Sequence, residues 1–223
     1  MSKIAVINGA NRGLGLALTY ELLAAGYKVW ALCRQSSAEL AGTKAKIVED
    51  TEVTSLASAA KAVAQVTDNS IDLLIAVAGI SRQDSLRQLD STAFNEIEEQ
   101  FKVNALGPLQ LTSAFLPKMA PKSKVVFLTS RMGSIGDNSS GSRYGYRASK
   151  AALNAFAKSL SLDLKDQVSI GILHPGFVQT GMTNGRGDMT ASQSARLLMA
   201  RIQDLGPHNS GQFLHANGEV LPW

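Results

Sequence analysis

Residues 3–23 read KIAVINGANRGLGLALTYELL, and three kinds of local order follow one another within them. Lys3 to Asn8 is a β-rich apolar run, Gly9-Ala10-Asn11-Arg12-Gly13-Leu14-Gly15 is a glycine turn, and Leu14, Leu18, Leu22 and Leu23 then recur on one side of a helix. Glycine has no Cβ, so such a turn can be tight and a pyrophosphate can approach its backbone at the positive end of the helix. The spacing G-x-x-x-G-x-G differs from the commoner G-x-G-x-x-G. The strand before it and the helix after it make nucleotide binding the expected task of the turn.

Outward from this stretch, strand and helix patterns alternate to the end of the chain. Gly26 closes the first helix, Tyr27 to Cys33 reads as a second buried strand followed directly by Arg34, and a short strand from Lys46 to Glu49 leads to Asp50 and a helix from about Ser55 to Val66. Ile71 to Ala78 has the near-continuous apolar character of a central parallel strand and ends in Ala78-Gly79. A long helical region follows over 91–119, capped by Asp90, Ser91 or Thr92, and it contains Asn104 and Pro108. Pro108 cannot donate to the carbonyl of Asn104 and crowds it, which predicts a bend and a carbonyl free to hold a water; a plain break between two helices at Gly107-Pro108 is the other reading. The remaining elements are a strand over Lys122 to Ser130, a helix over Tyr144 to Lys165, a strand over Val168 to Leu173, a glycine-rich segment from Gly181 to Met189 expected to be mobile, a helix over Thr190 to Asp204 and a strand over Gln212 to His215. This alternation indicates one α/β domain over 1–223: a doubly wound, mostly parallel seven-stranded sheet with helices on both faces, the Rossmann fold. Its ligand is expected beyond the carboxyl ends of the strands.

The second decisive stretch is Leu128 to Lys150, LTSRMGSIGDNSSGSRYGYRASK. Tyr146 and Lys150 stand four apart, which on a helix places both side chains on one face. A fixed ammonium there is expected to favour the ionised phenol and make Tyr146 an acid and base near neutral pH. Ser130 would add a hydroxyl from the end of the neighbouring strand. Ser134 is a rival for that serine and Tyr144 for the tyrosine. His174 has no Cys or carboxylate at a matching spacing and reads as a satisfied histidine at a strand end.

Composition narrows the function further. The 223 residues carry 22 basic and 18 acidic side chains, a net charge of +4, with no basic block of the kind that binds nucleic acid. Mean hydropathy is +0.02 and no apolar run is long enough to span a bilayer. The single cysteine, Cys33, lies in an apolar run and reads as a buried structural thiol. The start has no signal-peptide pattern, and a cytoplasmic protein without a metal site is expected.

In their order, these motifs resemble the short-chain dehydrogenase/reductase family over the whole chain. Within it, Gly141 to Lys150 and the ending Gly211-Gln212-Phe213-Leu214 to Leu221-Pro222-Trp223 resemble the branch of small carbonyl reductases that includes the Sniffer and C-factor proteins. The resemblance implies hydride transfer between a nicotinamide coenzyme and a small aldehyde or ketone, with a C-factor-like signalling or dinucleotide-sensing role as the alternative. It implies that Gly9, Asn11, Arg12, Gly13, Leu14 and Gly15 form the coenzyme turn, that Asp50 contacts the adenine, and that Ala78-Gly79 matches the end of the family's N-N-A-G. Pro175, Gly176, Val178 and Thr180 would line the nicotinamide side. Asn104, Ser130, Tyr146 and Lys150 match the catalytic tetrad, and Asn104, Tyr146 and Lys150 also face the coenzyme. A homodimer through the helices over 91–119 and 144–165 is implied, a monomer being the alternative.

The second strand ends in Cys33 rather than in the carboxylate that would hold the ribose of NAD, and Arg34 and Arg12 are placed to meet an extra phosphate; NADP is therefore expected over NAD. Three departures from the family pattern stand out: Asn8 where Thr is usual, Val77 where Asn is usual, and a Ser130 to Tyr146 spacing about three residues longer than common. Val77 in place of Asn removes a side-chain bridge between adjacent strands. The segment after Thr180 is short for a substrate lid, which implies an open pocket.

Overall fold

Strands that are apolar on both faces need a cover of helices on both sides, and the chain supplies it. The structure, a computed structural model, describes residues 2–223. In chain order the elements are β1 (Ile4–Asn8), α1 (Gly13–Ala24), β2 (Lys28–Leu32), α2 (Ala38–Ala41), β3 (Lys46–Val48), α3 (Leu56–Gln65), β4 (Ile71–Ala76), α4 (Ser91–Phe101), α5 (Gly107–Phe115), β5 (Met119–Leu128), α6 (Tyr144–Asp163), β6 (Val168–His174), β7 (Val178–Gln179), β8 (Met189–Thr190), α7 (Ala191–Asp204) and β9 (Phe213–His215). Seven strands make one sheet in the order β3-β2-β1-β4-β5-β6-β9, and each ladder between them is parallel. The carboxyl ends of all seven therefore lie along one edge. Between β1 and β4 the order reverses direction, which opens the crevice where such sheets bind ligands.

The period of two along each strand divides the core into two layers. Val6 of β1 and Leu74 of β4 face α3, α5 and α6, packing with Ala62, Phe115 and Ala157. Ala5, Ile7 and Ile75 face the other way, onto Leu18 and Leu22 of α1 and Leu198 and Ile202 of α7. Truncating a fully buried side chain such as Phe115 would cost about 3–5 kcal/mol.

The long helical region over 91–119 is present, and one other expectation is corrected. The region is an unbroken run of more than one helical type: α4, capped by the Asp90 side chain at the amide of Ala93, passes into a π-helical turn over Lys102–Leu106 and then into α5, with Pro108 in its first turn. The π turn, in which the amide of Gly107 reaches back to the carbonyl of Lys102, is the form taken by the predicted bend. The segment from Gly181 to Met189 is tied down rather than loose. Its ends are joined by the β7–β8 ladder, and Thr180 and Thr183 form a capping box between them. No helix among the described residues is long and apolar enough to cross a membrane, and no cluster of three metal-binding side chains occurs among them.

Candidate active site

The glycine turn lies where β1 meets the switch point, and contact dictates its glycines. A Cβ on Gly15 would stand 2.0 Å from the carbonyl oxygen of Gly9, and one on Gly9 would stand 2.9 Å from the amide nitrogen of Ala78. Helix α1 can therefore approach β1, and β1 can approach the end of β4, only through these residues. Gly13 faces Thr180, whose methyl would lie 3.5 Å from a Cβ there, so the turn after β6 closes over the start of α1. Arg12 is the N-cap of α1 but makes no side-chain cap, and no side chain satisfies the first-turn amides. Asn11 donates through Nδ2 to the carbonyl of Gln35, joining the glycine turn to the segment after β2. A dinucleotide fits this arrangement: the cradle is shaped by atoms that glycine omits, and the helix end awaits an anion.

The missing Asn at Val77 is made good from the opposite strand. Asn8 Oδ1 accepts from the amides of Val77 (2.7 Å) and Ala78 (3.1 Å), so the two departures from the family pattern compensate one another. Its buried Nδ2 has no partner among the described residues.

The carboxyl ends of β4 and β5 bring together three members of the expected tetrad and the helix that carries the fourth. Ser130 caps a short 3₁₀ turn over Arg131–Gly133, its Oγ accepting from the amide of Met132 at 3.1 Å, which leaves its proton to donate. Lys150 is almost wholly buried, and its Nζ donates to the carbonyl of Leu128 at 2.9 Å. Asn104 is fully buried in the π turn. Its side chain clamps both backbone groups of Ile80, at 2.8 Å each, and donates to Ser149 Oγ, which donates in turn to the carbonyl of Tyr146. With its side chain committed, the group of Asn104 that remains for a ligand is its backbone carbonyl. Gly79 touches this cluster: a Cβ there would be 3.1 Å from Asn104 Oδ1 and 3.7 Å from Lys150 Nζ.

The contacts of the two rivals place them elsewhere. Ser134 is buried, donating to the terminal carbonyl of Trp223 and accepting from the amide of Asp137. The Tyr144 side chain is exposed, whereas Tyr146 lies beside Ser130.

Electrostatics correct two further expectations. Enclosure raises the Tyr146 pKa above its ordinary value, opposed by the Ser130 hydroxyl and by the charge of Arg143. Lys150 is not among the groups that lower it. Burial pushes the Lys150 ammonium itself down to about 8. His174 is not satisfied either: its Nδ1 is buried without a partner among the described residues, its ring meets His215 edge-on at 5.0 Å, and burial, His215 and Arg131 depress its pKa to about 3.

The N-terminus of α6 is held from outside its own sequence. Asp84, in the segment after β4, accepts from the amides of Tyr144 and Gly145. Gly145 is needed because a Cβ would stand 2.5 Å from Gln100 Nε2 and 3.0 Å from the Cα of Ile97, so α4 and α6 meet at contact distance. Pro175, Gly176 and Val178 follow β6 on the opposite wall, with the Pro175 carbonyl accepting from Ser194 Oγ.

At the far end of the cleft, Arg34 and Asp50 are neighbours, the amide of Asp50 donating to the carbonyl of Arg34 at 3.1 Å. Both are exposed, and Asp50 has a left-handed backbone. Reading strand ends in isolation missed Glu49, whose carboxylate accepts from the amide of Ser36 at 2.6 Å. Burial, then Glu49, raises the Cys33 thiol.

A family model for short chain dehydrogenases matches residues 3–191. The chain belongs to the short-chain dehydrogenases. Among sequence relatives, the 1-hydroxy-2-glutathionyl-2-methyl-3-butene dehydrogenase of Rhodococcus sp. (strain AD45) is 36% identical over 230 residues and covers the whole of both chains. The C-signal of Myxococcus xanthus is 38% identical over 161 residues, which are 71% of this chain and 96% of that protein. Among solved structures, the carbonyl reductase Sniffer of D. melanogaster superposes with a TM-score of 0.90 at 27% identity over all of both chains. The NADPH-bound carbonyl reductase from chicken fatty liver does so with a TM-score of 0.88 at 29% identity, over 100% of this chain and 99% of that one. The protein is thus an oxidoreductase of the short-chain dehydrogenase type, a family that binds a nicotinamide dinucleotide and acts on small molecules.

Proposed function

We propose that this short-chain dehydrogenase is a single-domain, cytoplasmic carbonyl reductase that uses NADP(H) to interconvert small aldehydes or ketones and their alcohols. The observation that carries the reading is the convergence of Ser130, Tyr146 and Lys150 beside the buried Asn104, at the strand ends that face the glycine turn. A binding module has no need of a transferable proton in that place. When bound, the coenzyme supplies the hydride. Tyr146 gives its hydroxyl proton to the substrate oxygen, which the Ser130 hydroxyl holds by a hydrogen bond. The raised phenol pKa keeps that proton in place until it is needed. Lys150, whose Nζ donates to the Leu128 carbonyl, would hold the nicotinamide ribose when the coenzyme is bound, and the Asn104 carbonyl would anchor the water that returns a proton to Tyr146. Arg12 and Arg34 would meet the extra phosphate of NADP, Asn11 would belong to the coenzyme turn and Asp50 would contact the adenine; both arginines are exposed and neither is ion-paired among the described residues.

A second reading, a C-factor-like signalling or dinucleotide-sensing protein with little turnover, is favoured by the likeness to the C-signal of Myxococcus xanthus. Coenzyme oxidation across a panel of aldehydes, quinones, ketosteroids and oxo acids separates the two. Turnover abolished by Tyr146→Phe supports the reductase; tight coenzyme binding with no turnover anywhere supports the sensor. Association as a homodimer through α4 and α6 is part of the proposal: α4 exposes Phe94 and Phe101, and two copies would cover them. A single-chain mass by light scattering would remove it.

A further inference from the structure

Arg143 stands at the N-terminus of the helix that carries Tyr146. It precedes α6 with a left-handed backbone, φ 53° and ψ 45°, the second of two consecutive left-handed residues other than glycine, Ser142 and Arg143. Glycine and asparagine suit that conformation, and a long side chain brings it no benefit. The side chain does not cap its own helix. Instead Nη1 donates to Ser81 Oγ at 3.2 Å, and the main-chain amide donates to the carbonyl of Asp84 at 3.0 Å. Ser81 follows Ile80, whose backbone is clamped by Asn104, so the guanidinium is fastened to the wall of the cleft that the tetrad occupies. Tyr146 stands three residues on, in the first turn of α6, and the Arg143 charge acts on its phenol.

The other arginines near the site are engaged elsewhere. Arg131 pairs with Asp137 and Glu219, Arg82 with Glu99, and Arg147 donates to the loop over 140–142. Arg143 has no ion-pair partner among the described residues, and Asp84 directs its carboxylate to the amides of Tyr144 and Gly145. The result is an arginine of intermediate exposure whose charge acts on the reacting hydroxyl and which has no ion-pair partner among the described residues.

We propose that Arg143 is a specificity-determining residue that receives the carboxylate of an oxo acid, so that the preferred substrates carry an anionic group within a few atoms of the carbonyl reduced. A guanidinium matches a carboxylate in shape as well as in charge, and one partly shielded from water holds it more strongly than an exposed one. The neighbouring helix end cannot serve instead, because Asp84 already holds the amides of Tyr144 and Gly145. The inference rests on the reductase reading given above.

The test compares matched pairs, pyruvate with ethyl pyruvate and acetoacetate with ethyl acetoacetate, in the whole protein with NADPH. The readout is the acid-to-ester ratio of kcat/KM, in which any effect of Arg143 on the acidity of Tyr146 cancels. The acids should be favoured in the unmodified protein, and the ratio should fall by roughly tenfold to a hundredfold in Arg143→Gln. Arg143→Asn, which suits the left-handed backbone, should show the same fall with no loss of thermal stability, separating recognition from folding. Arg143→Lys should restore part of the preference. Esters favoured by the unmodified protein, or a ratio unmoved by both neutral variants, would overturn the proposal. If neutral aldehydes are reduced and neither acid is, the oxo-acid inference fails and the reductase stands; if no carbonyl compound is reduced, the reductase reading itself fails.

Discussion

Helices α1 and α6 both begin at the carboxyl edge of the sheet, yet their first turns are treated in opposite ways. Before α1 the chain places glycines, leaves the N-cap Arg12 without a capping bond, and clears the approach to the amides. Before α6 it brings in a buried carboxylate, Asp84, from 60 residues away to satisfy the amides of Tyr144 and Gly145. The first helix end is left without a side-chain cap and the second is satisfied by the protein beneath Tyr146. On the proposed reading, binding and chemistry are divided between two helix ends built from the same backbone groups.

If the division holds, variants on the two helices should fail differently. Tyr146→Phe keeps the ring and removes the proton, so kcat should fall by about 10²- to 10⁴-fold while the coenzyme dissociation constant hardly moves. Fluorescence titration of coenzyme beside single-turnover rates would show it, and near-normal turnover would end the assignment. Gly15→Ala should do the reverse. With a Cβ only 2.0 Å from the Gly9 carbonyl oxygen, α1 must shift away from β1, and coenzyme affinity should drop sharply with a loss of about 1–3 kcal/mol of stability. Normal coenzyme binding by the Gly15→Ala protein would show that the turn tolerates a wider approach.

Asp84→Asn tests the second helix end directly. It weakens two charge-assisted bonds, at an expected cost of about 1–2 kcal/mol in thermal unfolding, and should lower kcat while leaving coenzyme affinity intact. Equal losses of coenzyme affinity and kcat would mean that the two helix ends are not independent.

Lys150 adds a pH dependence to the α6 side. Its folded pKa of about 8 lies below the ordinary 10.5, so between these values the unfolded chain holds a proton that the folded chain has released. Coenzyme-free protein should therefore gain stability as pH rises from about 8 toward 10.5, by up to roughly 3 kcal/mol, and lose that gain as pH falls back to about 8. Lys150→Met should flatten the difference. A parallel pH profile in the two proteins would show that the ammonium is not burdened by its burial.

What can be read from the sequence, and what cannot, follows the range of the interactions. The glycine turn is legible because strand, turn and helix lie within 21 residues and the steric demand on Gly9 and Gly15 is local. Helical spacing alone places Tyr146 and Lys150 on one face. The compensation of Val77 by Asn8, the capping of α6 by Asp84 and the arrival of Glu49 near Cys33 depend on pairings that only the folded sheet creates. Pro108 announces a bend but not its π form, in which the amide of Gly107 reaches back to the carbonyl of Lys102. Helical spacing suggests Lys150 as a charge acting on Tyr146 but gives no sign that Arg143 acts on it too, or that Lys150 Nζ donates to the Leu128 carbonyl.

The smallest expected effect concerns the outer end of the α1 side, where coenzyme choice is made. Arg12 and Arg34 offer two exposed guanidinium groups to an extra phosphate, and β2 ends without an acid of its own. Glu49 nevertheless reaches this end from just past β3, where its carboxylate accepts from the amide of Ser36. Held there, it opposes the arginines: it would repel the phosphate of NADP through the solvent at the edge of the sheet. Two exposed guanidinium groups, with Asp50 expected at the adenine and the Glu49 carboxylate engaged by the Ser36 amide, still favour NADPH. The ratio of kcat/KM for NADPH over NADH should therefore exceed one in the unmodified protein and rise roughly two- to fivefold in Glu49→Gln, the range of an exposed charge interaction. Cys33→Asp combined with Arg34→Ser should invert it. A rise in Glu49→Gln from a starting ratio below one would show that the acid just past β3 outweighs the arginines, and that the coenzyme end of the cleft, unlike the α6 end, is tuned by a residue from outside the strand and turn that first define it.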